Sequence, residues 1–150
     1  MKQANWIRDA YKSTDVHWAK SQTKIMEMLN KIGIEQIRFT SMTDRHVLEF
    51  VLAEDGKVPR GVRMVTPLKT KSTDLPERRN KELNIVHRIL LNHLKAKFLA
   101  VGTGLVEFEQ EFMAHLIVKG KDGRDTTVGE SLLPQYLKHI EGDGGPLLLN

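Results

Sequence analysis

Residues 36–42 (QIRFTSM), 46–53 (HVLEFVLA) and 61–67 (GVRMVTP) decide the fold. Apolar positions alternate or run together in each, and β-branched and aromatic residues are enriched, as strands require. Thr43-Asp44-Arg45 and Asp55-Gly56-Lys57 supply the turns, and Asp-Gly is a strong hairpin signal. The stretch predicts a three-strand antiparallel meander. Leu48, Phe50 and Leu52 share one face, read as core. Glu49 lies on the other, where Arg38 and Arg63 are candidate cross-strand neighbours. Opposite charges facing each other on a half-solvated sheet contribute about 0.2–1 kcal/mol.

Before the meander, Ser13, Thr14 and Asp15 are candidate caps, and Trp18, Ile25, Met28, Leu29 and Ile32 form a helical stripe that Gly33 stops. This predicts a helix over 16–32. After it, Asp74, Pro76 and Glu77 open a longer helix with capping-box spacing. Leu83, Val86, Ile89, Leu90, Leu94, Phe98 and Val101 form its apolar face, and Gly102 is the expected C-cap. About 27 residues at 1.5 Å each make about 40 Å. Leu105, Phe108, Phe112, Met113 and Leu116 fit a shorter helix. Ile117-Val118 and Thr126-Thr127-Val128 flank Asp122-Gly123 as a second hairpin, and Glu130 to Ile140 reads as a last helix with Pro134 in its first turn.

The expected fold is therefore a single α+β domain over 1–150 in the order α-β-β-β-α-α-β-β-α. Its meander packs on a long central helix, followed by a C-terminal hairpin and helix. Residues 1–13 read as a loosely attached arm and 142–150 as a glycine-rich tail. Leu48, Phe50, Leu52, Val86, Leu90, Leu94, Phe98, Phe108 and Phe112 are the expected core.

The chain has 150 residues and no cysteine. That excludes disulfides, thiolate zinc sites and thiol nucleophiles. Residues 1–12 hold no apolar core of a secretory signal, and no apolar run approaches the roughly 18 residues of a membrane span. The expected location is the cytoplasm, with no membrane partner. Charge is divided unevenly. The first hundred residues carry 19 basic and 11 acidic side chains, and residues 101–150 carry 4 and 8. Such a split speaks to partners rather than to fold.

Lys81, Asn84, Arg88, Asn92 and Lys95 recur every three or four residues, on one stripe of the long helix that contains no acid. Lysine and arginine on one side of a helix pair with successive phosphates and give salt-sensitive, sequence-independent binding. The leading expectation is a non-specific nucleic-acid-binding protein that contacts DNA or RNA through Lys81, Arg88 and Lys95, helped by Arg78 and the sheet arginines Arg38 and Arg63. Trp6, Tyr11 and Trp18 are candidates for stacking on bases, with core packing the favoured reading of Trp18.

A different class is an interaction module or homo-oligomer working through the acidic C-terminal third, with Leu147, Leu148 and Leu149 as an apolar hook. A third is a metal-dependent hydrolase built on Asp44 and Glu49. The fold order suits a restriction-nuclease-like core, but the third strand lacks the acid that chemistry needs. Glu107, Glu111 and His115 share a helical face and could ligate a metal, although a solvated Glu–His face has the same pattern. Gly102-Thr103-Gly104 lacks the lysine of a phosphate loop. No catalytic residue, metal or cofactor is assigned, and the reading leans against an enzyme while leaving that question open.

The run Leu94-Lys95-Ala96-Lys97-Phe98, with Gly104, Phe108-Glu109-Gln110-Glu111-Phe112, Asp122-Gly123-Arg124 and Thr127-Val128-Gly129-Glu130, resembles a family of small phage- and prophage-encoded α+β proteins. The helix end Lys31-Ile32-Gly33-Ile34 and the meander are also similar. The resemblance covers most of the chain and implies no activity and no functional residue. It implies a bacterial, archaeal or viral intracellular setting, which favours nucleic-acid metabolism or host interaction.

Overall fold

The computed structural model describes residues 11–142. Helix α1 (Trp18–Lys31) leads into strands β1 (Gln36–Ser41), β2 (Arg45–Leu52) and β3 (Arg60–Pro67). Helix α2 (Pro76–Gly102) follows, then the short α3 (Phe108–Phe112) and a 3-10 turn (Met113–His115). Strands β4 (Ile117–Lys119) and β5 (Asp125–Thr127) and helix α4 (Val128–Gly142) complete the chain. The order matches the sequence reading.

β1, β2 and β3 form an antiparallel sheet in that order, and β4 pairs with β5 in a separate hairpin. Register places Phe39, Leu48 and Met64 in one cross-strand row and Ile37, Phe50 and Val62 in the next. These rows face the helices. Ile25 and Leu29 of α1, Leu90, Leu91 and Leu94 of α2, and Phe108 and Phe112 of α3 close the core over them. The domain thus has two layers, helices over a sheet. The phenyl rings of Phe50 and Phe112 meet edge-on at 5.9 Å, an arrangement that aromatic quadrupoles favour. The hairpin attaches beside β3, where Val62 and Leu116 form a bridge and Ile117 lies against Gly61. Of the expected core, Leu52 and Phe98 are only half-buried, at the edge of the main cluster.

Several local expectations need correction. α1 is capped by His17, whose Nδ1 accepts from the Ala19 amide at 3.2 Å, and not by Ser13, Thr14 or Asp15. Asp74 does not cap α2. Leu75 occupies that position without a side-chain bond, while the Asp74 carboxylate accepts from the Lys71 amide at 2.6 Å. At the other end Thr103 is the C-cap, and Gly104, not Gly102, takes the left-handed conformation, at φ 72°. The helix expected from Leu105 is shorter because Glu107 and Gln110 form a capping box that starts it at Phe108. Leu105 and Met113 consequently stay exposed. α4 begins at Val128, so Pro134 lies past its first turn.

Residues 11–13 are less loose than expected. They form a turn closed by Thr14 N to Tyr11 O at 3.1 Å, and Asn92 Nδ2 of α2 donates to the Tyr11 hydroxyl at 3.1 Å. The rest of the expected arm, the tail over 143–150, Trp6 and the three terminal leucines lie outside the described residues.

Candidate nucleic-acid interface

α2 positions the stripe. Its apolar face is buried through Leu83, Val86, Leu90 and Leu94, and the stripe runs along its flank, exposed at Lys81 and Lys95 and half-buried between them. Fourteen residues separate Lys81 from Lys95, about 21 Å along the axis. Lys81 and Lys95 are exposed and Arg88 is half-buried. The two asparagines between them act as fasteners. Asn84 Oδ1 accepts from the Trp18 amide at 2.7 Å and so holds the start of α1, and Asn92 holds Tyr11. The stripe is thus three cations separated by two structural contacts.

Glu107, Glu109 and Glu111 do not cover it. Glu107 caps α3, Glu109 pairs with Arg60, and Glu111 accepts from Lys97 Nζ at 2.9 Å. Lys97 also donates to the Glu111 backbone carbonyl at 2.9 Å. The charge split is partly resolved inside the molecule, through Arg60 and Lys97. Lys81, Arg88 and Lys95 make no ion pair among the described residues.

The three helper arginines are placed differently. Arg78 pairs with Asp74 at 2.9 Å, one turn away. Arg38 and Arg63 flank Glu49 across the strands, as register expects. Arg38 Nε donates to Glu49 at 2.6 Å and Arg63 Nε at 2.8 Å. Burial alone would raise the Glu49 pKa, but the hydrogen bonds from Arg63 and Arg38 outweigh it and hold the carboxyl below its usual range. These two arginines sit on the sheet face opposite the helices, away from the α2 stripe. There they line a cavity of about 490 Å³ with Thr40, Val47 and Val65.

Sequence reasoning missed Lys20, Lys24 and Lys31, three exposed cations on α1. Their helical spacing in the sequence was the signal that could have found them. α1 and α2 lie side by side in the helical layer, and together they carry nine basic and three acidic side chains. Of the stacking candidates, Trp18 is packed against Leu68, Leu83 and Val86 and lies 5.6 Å from the His87 ring, so it belongs to the core.

The hydrolase arrangement is not assembled. Asp44 sits in the β1–β2 turn beside Arg45, five residues along from Glu49, about 17 Å of strand. Glu107 and Glu111 are engaged in the cap and with Lys97. Among the described residues no group of three or more histidine or carboxylate side chains could hold a metal ion. No described helix is long and apolar enough to cross a membrane.

A second surface feature lies at α4. Leu132, Leu133 and Tyr136 are 54%, 55% and 55% exposed, and Leu137 is 48% exposed. Leu132, Leu133 and Tyr136, with Met113, Ala114, Val128 and the Lys97–Glu111 pair, line a groove of about 640 Å³. His93 and His115 stand near this pair. Burial, then the Lys97 charge, lowers both pKa values.

No protein-family model, curated protein or solved structure matches this chain. The functional reading therefore stands on its own geometry and charge.

Proposed function

We propose that the chain is a non-specific nucleic-acid-binding accessory protein of the phage-encoded kind, and that its helical layer is the binding face. The observation that carries this reading is the layer's nine basic against three acidic side chains, with Lys81, Arg88 and Lys95 left without an ion-pair partner among the described residues. Such a face neutralises phosphates and displaces their counterions without reading base edges. Arg78, Arg38 and Arg63 belong to the reading as secondary contributors, because each already has a carboxylate partner.

Fluorescence titration with single- and double-stranded DNA across a range of salt concentrations tests it. Affinity is expected to fall steeply with salt. The K81A/R88A/K95A protein is expected to show a log K against log salt slope shallower by about 2–3 units. Absence of binding at low salt, or an unchanged slope in the triple variant, overturns the proposal.

The exposed α4 residues favour a second reading, self-association through the C-terminal region. An apolar patch of this kind beside a groove is a mark of an interaction surface. Light scattering on the wild type and on L133E/L137E separates the readings. A dimer that the double substitution dissociates supports self-association. A monomer in both removes it.

A further inference from the structure

His46 of β2 and His87 of α2 meet inside the seam between the sheet and the helical layer, with ring centroids 4.2 Å apart. They are 1% and 0% exposed. Each uses Nδ1 for a hydrogen bond, His46 with the Ser41 hydroxyl and His87 with the Leu83 carbonyl, both at 2.9 Å. Both Nε2 atoms are buried without a partner, as is the hydroxyl of Ser21 on α1. Buried polar atoms are nearly always satisfied, so two orphaned imidazole nitrogens in one contact call for an explanation.

Among the described residues no carboxylate bonds to either ring. Phe39 of β1 and Trp18 of α1 lie against the pair. The His17 ring lies against the far side of this cluster, 5.2 Å from Trp18, and the other charged groups nearby are engaged with partners outside it. Asp44 is beside Arg45, Glu82 accepts from the Lys69 amide, and Arg79 donates to the Met42 carbonyl. A second proton on either ring therefore creates a cation in apolar surroundings, next to another basic ring. Burying an unpaired charge costs far more than exposing it.

We infer that the His46–His87 contact is an acid-sensitive latch, in which proton uptake by the two buried rings parts α2 and α1 from the sheet. At neutral pH both rings are uncharged and the seam is closed. In mild acid the charged ring gains by reaching water, and the way out is the opening of that seam. The inference does not depend on the nucleic-acid reading, since it concerns the inner face of the layer.

Trp18 lies against the pair but also 5.2 Å from the His17 ring, so Trp6→Phe with His17→Asn makes it the sole tryptophan and removes that second ring while keeping a capping side chain. In that background, Trp18 fluorescence and far-ultraviolet dichroism are followed from about pH 8 to about pH 4. Trp18 emission is expected to change between about pH 6.5 and 4 while most helical signal is retained. His46→Asn with His87→Asn keeps an amide where each Nδ1 lies and removes both titrating rings, so this variant should lose the transition. The same transition in the double variant, or a flat Trp18 signal to pH 4 in the parent, overturns the latch. Should the variant fail to fold at neutral pH, the imidazole proton resonances of the parent decide. Rings that stay neutral until Trp18 responds support the latch, and rings that titrate near pH 6.5 with Trp18 unmoved overturn it.

Discussion

Glu49 shows how one residue changes the meaning of its neighbours. On a bare strand Arg38 and Arg63 are two cations available to a ligand. In the sheet they hold one carboxylate between them, and Arg63 also donates to the Asp125 carbonyl at 3.3 Å. Arg63→Ala is therefore expected to lower stability by about 0.5–1.5 kcal/mol in urea unfolding and, Arg63 being only a secondary contributor, to make the salt slope of DNA binding shallower by no more than about 1 unit. A large loss of slope would put the sheet face in the interface. The buried histidines give a second prediction at this scale. Burial first, then the His87 ring, pushes the His46 pKa down from 6.5 to about 4. Its contribution to stability is complete above pH 6.5 and is lost as pH falls toward 4, because the unfolded chain takes up the proton first. About 3 kcal/mol is lost over that window. Unfolding free energies measured at pH 7 and pH 4.5 should differ accordingly, and much less in His46→Asn.

Elements differ in how firmly they are held. α2 is the spine, and Leu90 on it is 3% exposed in the main cluster. Leu90→Ala is expected to cost about 2–5 kcal/mol, and a thermal shift near zero would contradict a core role. α3 has only five residues and needs anchors at both ends. Its capping box fixes one end, and Lys97 fixes the other through the Glu111 side chain and carbonyl. Lys97→Met leaves a partly buried carboxylate unpaired and should cost about 1–3 kcal/mol. α4 presents the opposite case. Its first turn rests on the 3-10 turn, where Gly129 approaches Ala114 so closely that a Cβ would lie 2.8 Å from the carbonyl oxygen. Leu133 and Leu137 beyond it are about half exposed, so L133E/L137E should change unfolding free energy by less than about 0.5 kcal/mol while changing any association.

Across the whole molecule, the order of elements, the meander with its register row Arg38–Glu49–Arg63, and the apolar face of α2 were legible in the sequence. The physical reason is locality. Strand alternation, turn chemistry and helical periodicity are properties of neighbouring residues, and the meander pairs strands adjacent in the chain. Element ends were less legible. His17, Glu107 and Gly104 won their positions over better-looking candidates through contacts a few residues away. The even spacing of the α2 stripe was also local and readable. Its division into fasteners and unpaired cations was not, because Asn84 meets Trp18 and Asn92 meets Tyr11 across 66 and 81 residues. The same holds for the pairing of Glu109 with Arg60 and Glu111 with Lys97, and for the meeting of His46 with His87. The sequence alone determined which residues form helices and strands and how unevenly charge is spread. Only the tertiary structure decided which charges neutralise one another and which polar groups end up in the core, because burial and Coulomb energy depend on distances that chain order does not specify.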